Sequence, residues 1–232
     1  MKLCIDTADV EAIKRIYEIF PVDGVSTNPT ILSRTKRPPF EVLHEIRDIV
    51  GDGELFVQVI AKDAEGMVKD AEKIVSELGK NTIIKIPVTK QGLKAIKICK
   101  SKGIRTLGTT VYNTMQGYLA AKAGCEYIAP YVNRIEVMGH DGVGVAKDIH
   151  DMIVNNGLEY SGLLAASFKN TKQVTELIKY GVKAITIPVD LFDSFANNAS
   201  VDETVDKFVE DFENLTFKGV TWDKLWQSKT SS

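Results

Sequence analysis

Lys85 stands in the middle of an apolar, β-branched run, residues 82–89, whose length and composition are typical of a strand buried on both faces of a parallel sheet. Burial disfavours the charged ammonium form of lysine and lowers its pKa, and the neutral amine can attack a carbonyl carbon to form a Schiff base. Lys85 is therefore a candidate nucleophile. The structural alternative is a lysine that extends to solvent from a strand end or pairs with a buried carboxylate.

The segments that must position this lysine alternate between two kinds of pattern. Short β-rich runs recur along the chain, and longer amphipathic segments with helical spacing separate them. The predicted strands are Lys2–Thr7, Gly24–Asn28, Leu55–Ala61, Thr82–Val88, Arg105–Tyr112, Glu126–Val132, Ser161–Phe168 and Lys183–Val189. The predicted helices between them are Asp9–Phe20, Phe40–Val50, Asp63–Leu78, Gln91–Lys102, Asn113–Ala123, Val143–Asn155 and Thr171–Tyr180.

Eight strand-then-helix units with short connections favour a single-domain α/β fold, the (β/α)8 TIM barrel, over residues 1–200. A doubly wound open sheet is the alternative. It is disfavoured because the first predicted strand is not followed by the Gly-x-Gly-x-x-Gly turn of a dinucleotide-binding sheet. An N-cap pattern at Ser200 and Glu203 predicts a further helix, so we expect residues 201–232 to form a C-terminal helical extension.

Polar residues collect at the carboxyl ends of the predicted strands, where a TIM barrel builds its active site. They are Asp6, Asn28, Gln58, Lys85, Thr109, Thr110, Tyr131, Asn133, Arg134, Ser167 and Lys169. A polar side chain inside such a barrel costs about 2 kcal/mol or more unless it is paired. A set contributed by successive strands therefore predicts a polar pocket at the barrel mouth rather than unrelated core groups.

The types of these residues suggest roles in carbonyl chemistry. Asp6 is the natural general acid/base partner of a Schiff-base lysine, although it could instead be a buried counter-ion. Asn28 and Gln58 can hold substrate hydroxyls or position a water molecule, and Thr109 and Tyr131 can relay a proton along such a water. Together these residues predict a site for covalent catalysis on a carbonyl compound.

Arg134, Ser167 and Lys169 combine a planar guanidinium, a hydroxyl and an ammonium group after the sixth and seventh predicted strands. Asn170 then begins a helix, whose N-terminus favours anions. This combination predicts a phosphate site. The alternative is that the two cations are solvated loop residues.

The bulk composition excludes several partners and compartments. The formal net charge is −2, and the charges are spread along the chain, so neither a nucleic-acid nor a membrane partner is indicated. The chain has an odd number of cysteines, Cys4, Cys99 and Cys125, and they lie far apart, which argues against disulfides. Together with an N-terminus that does not resemble a signal peptide, this leads us to expect a cytoplasmic protein. The three histidines show no ligand spacing, so we expect no metal and no cofactor.

Four ordered motifs resemble those of the transaldolase family, and most closely its small bacterial subfamily that contains fructose-6-phosphate aldolase. They are Gly24-Val25-Ser26-Thr27-Asn28-Pro29-Thr30, Lys85-Ile86-Pro87-Val88-Thr89, Pro130-Tyr131-Val132-Asn133-Arg134 and Ala165-Ala166-Ser167-Phe168-Lys169. The resemblance extends from Leu3 to about Phe212. It implies a class I, metal-free mechanism on a (β/α)8 barrel, with Lys85 as the Schiff-base residue and Asp6 as the acid/base.

Two positions separate chemistries within the family that the chain resembles. Transaldolases usually carry glutamate where Gln58 stands and phenylalanine where Tyr131 stands, and the chain follows the aldolase pattern at both. Thr110, Asn113, Thr114 and Met115, however, depart from that pattern beside the pocket. The resemblance thus implies cleavage of fructose 6-phosphate to dihydroxyacetone and glyceraldehyde 3-phosphate. Alternatives are a transaldolase and, remotely, a non-catalytic sugar-phosphate binding protein.

The C-terminal extension contains more apolar residues than a closed barrel has surface to cover. They are Val205, Phe208, Phe212, Leu215, Phe217, Trp222, Leu225 and Trp226. We therefore expect the extension to dock on a neighbouring subunit of a homo-oligomer, and the resemblance implies a pentamer or decamer. The alternative is that Trp222 and Trp226 pack on their own barrel.

Overall fold

The computed structural model describes residues 1–230, with side chains as far as Gln227. The chain forms two compact units, Met1–Phe192 and Asp193–Ser232. In the first unit eight parallel strands close into a barrel in chain order, and the eighth strand pairs with the first. Helices alternate with these strands, so the predicted (β/α)8 fold is confirmed.

The elements have the following bounds. The strands are β1 (Lys2–Asp6), β2 (Gly24–Ser26), β3 (Glu54–Gln58), β4 (Thr82–Pro87), β5 (Thr106–Val111), β6 (Tyr127–Pro130), β7 (Gly162–Ala165) and β8 (Ala184–Ile187). The helices are α1 (Val10–Ile19), α2 (Pro29–Arg34), α3 (Pro39–Val50), α4 (Ala64–Leu78), α5 (Lys90–Ser101), α6 (Thr114–Ala123), α7 (Val132–Val137), α8 (Gly142–Asn155), α9 (Thr171–Tyr180), α10 (Val189–Ala196), α11 (Ala199–Leu215) and α12 (Trp222–Thr230).

Alternation along each strand divides the hydrophobic core of the barrel unit into two layers. In β3, Leu55 and Val57 belong to the large cluster between strands and helices, whereas Phe56 belongs to a smaller cluster. Because side chains in a strand alternate between faces, this smaller cluster lies inside the barrel. It comprises Cys4, Phe56, Ile83, Leu107, Tyr127, Ala129, Leu164, Ala166 and Ala184.

Two short helices, α2 and α7, lie where the patterns predicted strand ends or connections. Strand β6 stops at Pro130, so Asn133 and Arg134 are helical rather than at a strand end. Helix α2 begins with Pro29 at its first position, and Asn28 caps it by accepting a hydrogen bond from the Ile31 N–H at 3.0 Å. Six residues are too few for an apolar repeat to distinguish a helix from a strand end.

The second unit contains the two helices α11 and α12. Helix α11 begins after Asn198, whose side chain accepts from the Ser200 N–H at 3.1 Å, so the prediction that Ser200 is the N-cap is wrong. The asparagine is extended, with a φ of −146°, and supplies the cap before the serine can. Phe212 and Trp222 bring their rings to 5.0 Å, centroid to centroid. Among residues 1–230 no helix has both the length and the apolarity to cross a bilayer.

Candidate active site

Five of the predicted site residues form one layer inside the barrel. Each lies two positions after a member of the inner cluster, at the carboxyl end of its strand, and so faces the same way. The pairs are Cys4 and Asp6, Phe56 and Gln58, Ile83 and Lys85, Leu107 and Thr109, and Ala129 and Tyr131. We call Asp6, Gln58, Lys85, Thr109 and Tyr131 the upper layer. The barrel therefore brings together residues that are up to 125 positions apart in the sequence, from 6 to 131.

Lys85 is 6% exposed and is held by two acceptors. Its Nζ donates to the Ser26 Oγ at 2.8 Å and to the Thr27 carbonyl oxygen at 2.7 Å. Burial lowers the pKa of Lys85, and the negative charge of Asp6 opposes that shift. A neutral amine can satisfy both acceptors with its two N–H groups and keep its lone pair for attack on a carbonyl.

Asp6 is the register partner of Ser26 across the β1–β2 pair. Burial raises the pKa of Asp6, while the charge of Lys85 and a hydrogen bond with the Ser26 side chain act in the opposite direction. Ser26 thus links the lysine to the carboxylate. A carboxyl group with a raised pKa is suited to exchanging protons with substrate at neutral pH.

Ser26 is a site residue that the sequence-based prediction missed. It is fully buried, in the third and last position of β2. The sequence did contain a clue to this role, because Ser26 stands two positions before Asn28 and therefore lies on the same face of the predicted strand. Nothing local, however, distinguishes a serine that faces Lys85 from one that satisfies the backbone.

The upper layer continues through β3, β5 and the end of β6. Gln58 is the register partner of Lys85, and within the described part of the chain its side chain has no hydrogen-bond partner. The hydroxyl groups of Thr109 and Tyr131 lie 2.9 Å apart and share a hydrogen bond. Burial raises the pKa of Tyr131, with the Thr109 hydrogen bond opposing, so the phenol stays protonated. This arrangement offers a free amide and two hydroxyls beside the lysine.

A backbone irregularity in β5 accompanies the Thr109 position. The pairing with β6 shifts register between Gly108 and Val111, and Thr110 has a φ of +59°. A β-branched residue rarely adopts this left-handed conformation, and such strain is concentrated at functional sites. The Thr110 hydroxyl donates back to the Thr109 carbonyl oxygen at 2.7 Å and, among the described residues, forms no hydrogen bond with an upper-layer side chain.

Arg134 reaches the upper layer from α7. The centre of its guanidinium lies 4.8 Å from the Tyr131 ring centroid, and its Nη1 approaches the Tyr112 hydroxyl at 3.5 Å. The rings of Tyr112 and Tyr131 meet edge to face at 5.6 Å. Arg134 is exposed, and its positive charge helps to lower the pKa of Asp6. A cation therefore stands at the mouth, stacked on an aromatic face and open to an anion.

Ser167 and Lys169 lie on the loop between β7 and α9. Ser167 is partly buried with a φ of +63°, and Lys169 is exposed. Backbone contact ties this loop to α7, since the Asn133 N–H donates to the Ser167 carbonyl oxygen at 2.7 Å. In the part of the chain that the structure describes, no hydrogen bond joins the Ser167 or Lys169 side chain to Arg134. The elements that carry the three predicted phosphate-site residues are thus linked through backbone.

Asn28 both caps helix α2 and lines a cleft. While its Oδ1 caps α2, its Nδ2 remains available as a donor. Asn28, Asp6 and Arg134 line a cleft of about 630 Å³ at the barrel mouth, which Arg34 also lines. Lys85 itself is not among the lining residues. The cleft is large enough for a sugar phosphate.

The chain matches a known protein family. The family model described as transaldolase/fructose-6-phosphate aldolase matches residues 3–232, almost the whole chain. The match covers the barrel strands that carry the upper layer as well as the C-terminal helices. The chain therefore belongs to the transaldolase/fructose-6-phosphate aldolase family.

Proposed function

We propose that the protein is a class I aldolase that cleaves fructose 6-phosphate to dihydroxyacetone and glyceraldehyde 3-phosphate, and forms it in reverse. Family membership supports an aldolase or a transaldolase and does not separate them. The observation that supports the finer proposal is the hydrogen bond between Thr109 and Tyr131, because it joins two hydroxyls of the upper layer, to which Lys85 also belongs.

The proposed reaction begins when the neutral Lys85 amine adds to the C2 carbonyl and water is lost, leaving an iminium. Asp6 accepts the proton of the C4 hydroxyl as the C3–C4 bond breaks. The bonding electrons flow into the iminium, which becomes an enamine, and glyceraldehyde 3-phosphate leaves. The iminium is the main electrostatic device, because it turns a weak electron sink into a cationic one.

The fate of the enamine decides between the two activities. A water molecule held by Gln58, Thr109 and Tyr131 can donate a proton to the enamine carbon, and hydrolysis of the resulting iminium releases dihydroxyacetone and free Lys85. Without that proton the enamine waits for an acceptor aldehyde, and the enzyme is a transaldolase. The free Gln58 amide and the paired hydroxyls favour the first course.

Product analysis tests this assignment. Incubation with fructose 6-phosphate alone should release dihydroxyacetone and glyceraldehyde 3-phosphate in equal amounts. Turnover that requires erythrose 4-phosphate and yields sedoheptulose 7-phosphate would instead identify a transaldolase. Absence of both reactions with retained sugar-phosphate binding would identify the non-catalytic alternative.

Tyr131→Phe should shift the enzyme from cleavage toward transfer. Removal of the hydroxyl leaves the Thr109 hydroxyl without this partner and deprives the bound water of a proton relay. Release of dihydroxyacetone from fructose 6-phosphate alone should fall by about 100-fold or more, the low end for a general acid/base contribution. Transfer to erythrose 4-phosphate should be retained or increased. Equal loss of both activities would show that the hydroxyl does not direct the enamine.

Arg134→Ala should raise KM for phosphorylated substrate by about 10-fold or more, on the scale of a charge-assisted contact of about 1.5–3 kcal/mol. Dihydroxyacetone with an unphosphorylated aldehyde should react almost as before. Lys172→Ala, which removes an 84% exposed cation from the first turn of α9, controls for net charge and should leave KM unchanged. An equal loss for both substrate pairs would mean that Arg134 has a structural role.

The C-terminal unit is proposed to join subunits of a homo-oligomer, a pentamer or decamer. Helix α11 has no buried residue, and Phe208, Leu215, Trp222 and Trp226 are all more than 60% exposed. Deletion from Leu215 onward should reduce the mass measured by light scattering. An unchanged large oligomer, or a full-length protein that is monomeric, would contradict this role.

The cytoplasm is the compartment in which we expect this enzyme to act. Cys4, Cys99 and Cys125 are all buried as free thiols, a state that a reducing compartment maintains.

A further inference from the structure

Gln173 is a buried polar residue that the proposed chemistry does not use. It lies in the first turn of α9 and is 3% exposed. Its Oε1 accepts a hydrogen bond from the Lys169 N–H at 2.8 Å. Its Nε2 donates to the Glu136 Oε2 at 2.6 Å and to the Asn133 Oδ1 at 3.3 Å. The amide is therefore satisfied on both sides, as burial requires.

The orientation of this amide follows from its partners. An ionised Glu136 only accepts hydrogen bonds, and the Lys169 N–H only donates. The NH2 group of Gln173 must therefore face α7 and its oxygen must face the β7–α9 loop. A side chain of the same shape that turned an acceptor toward Glu136 would lose this hydrogen bond.

The two sides of Gln173 correspond to the two halves of the proposed phosphate site. Helix α7 carries Arg134, and the β7–α9 loop carries Ser167 and Lys169. No hydrogen bond joins the side chains of these three residues to one another in the described structure, so their spacing depends on what holds α7 to the loop. The Gln173 amide and the bond from the Asn133 N–H to the Ser167 carbonyl oxygen are such ties.

We propose that Gln173 is a positioning residue for phosphate recognition, holding α7 and the β7–α9 loop at the separation at which Arg134 and Lys169 engage one phosphate group. This proposal rests on the proposed function, since it takes a sugar phosphate as the ligand. Gln173 acts without touching the ligand. Its removal should therefore weaken binding of the phosphate end and leave the chemistry at Lys85 intact.

The test is a hydrogen-bond swap. Gln173→Glu places a carboxylate against Glu136 and should push α7 and the loop apart. Gln173→Glu combined with Glu136→Gln restores one donor facing one acceptor, while the Lys169 N–H keeps an acceptor. Gln91→Met is a control for loss of a glutamine amide, because the exposed Gln91 side chain also accepts from a backbone N–H, that of Ala64 at the start of α4 at 3.1 Å, but away from the phosphate site.

Binding is measured by calorimetry with glucitol 6-phosphate, which has no carbonyl group and cannot form a Schiff base. Gln173→Glu should weaken it by about 10-fold, the order expected when binding groups are displaced by a fraction of an ångström. The double variant should recover to within about 3-fold of the starting protein, since the two sites are directly coupled. The Gln91→Met control should bind normally.

Kinetics separate positioning from a general structural role. The KM for fructose 6-phosphate should rise in Gln173→Glu, with kcat for dihydroxyacetone and an unphosphorylated aldehyde unchanged. If Gln173→Glu is unstable, Gln173→Met, which removes the contacts without adding a charge, takes its place with the same expected loss of affinity. Calorimetry does not require turnover, so failure of the proposed aldolase reaction and failure of this proposal are distinguishable. Unaltered glucitol 6-phosphate binding in the variant, or no recovery in the swap, would overturn the positioning role.

Discussion

Lys85→Met should abolish turnover, lowering kcat by at least about 10⁴-fold, while the folded protein becomes no less stable at neutral pH. The loss of activity follows because no other group in the upper layer can form the Schiff base. The retained stability follows from the coupling between proton binding at Lys85 and folding. Burial lowers the folded-state pKa of Lys85 below the ordinary value of 10.5, so between the two values the unfolded chain binds a proton that the folded chain does not.

The direction of this pH dependence favours the stability of the Lys85→Met variant. A depressed lysine pKa makes the folded state less stable as pH falls from 10.5 toward the folded pKa, and methionine removes this contribution. Burial raises the pKa of Asp6 and the Lys85 charge opposes that shift, so loss of the lysine lets the carboxyl take up a proton more readily instead of remaining an unpaired charge. Thermal unfolding of both proteins at several pH values measures the effect.

Lys62→Met is the matched control for this experiment. Lys62 is exposed on the loop after β3, at the same end of the barrel, and should tolerate the change with activity and melting temperature unaltered. Persistent turnover in Lys85→Met would reject the mechanism. A large loss of stability would instead show that the lysine is held as a structural ion pair.

Glu54→Ala should destabilise the protein by about 1–3 kcal/mol, the usual cost of leaving a buried polar group without its partner. Glu54 is 5% exposed and lies at the amino end of β3, opposite the upper layer. It binds Lys2 at 2.8 Å, accepts from the Tyr127 hydroxyl at 3.0 Å and pairs with Arg105. Its loss would leave the buried Tyr127 hydroxyl without this acceptor, whereas Arg105, which is partly exposed, would keep its pairing with Glu126.

The dependence of the free energy of unfolding on acidic pH should also change when Glu54 is replaced. Burial alone would raise the pKa of Glu54, but hydrogen bonds from Lys2 and Arg105 lower it below its usual value of 4.5. The stabilisation is thus present above pH 4.5 and is lost as pH falls through the folded pKa, a dependence that Glu54→Gln removes.

Urea denaturation measures the free energy of unfolding in these variants. Glu11→Ala is the control, because Glu11 forms an exposed pair with Lys14 and should contribute at most about 1 kcal/mol. Activity of Glu54→Ala below its melting temperature should be retained, since the network lies at the other end of the barrel. A loss as small as that of the control would contradict the buried-network interpretation.

The strand order and the upper layer could be predicted because both follow from patterns local to each strand. Gln58 ends an apolar run, Lys85 and Thr109 interrupt β-rich ones, and parallel strands in a barrel bring such positions together. The bounds of β6 were harder to predict. The chain at Tyr131 keeps one strand-like bridge to Ala166 and then turns into α7, which a strand pattern does not reveal.

Residues whose roles depend on distant partners could not be predicted. Asn170 was expected to begin a helix, and the structure contains this cap, with the Asn170 Oδ1 accepting from the Gln173 N–H at 3.0 Å, but the Gln173 side chain carried no such signal. Its link to Glu136 on α7 depends on how two helices approach and has no sequence signal. Ser26 and Glu54 are similar, since each is explained only by the register of a neighbouring strand.

Borohydride trapping at Lys85 tests the central claim most directly. The protein is reduced in the presence of fructose 6-phosphate or dihydroxyacetone, digested, and analysed by mass spectrometry. The mechanism predicts one stable adduct, the reduced three-carbon unit or the whole sugar, on the peptide that contains Lys85, with matching loss of activity and no adduct in Lys85→Met. Labelling of a different lysine, or full activity after reduction with substrate, would contradict it.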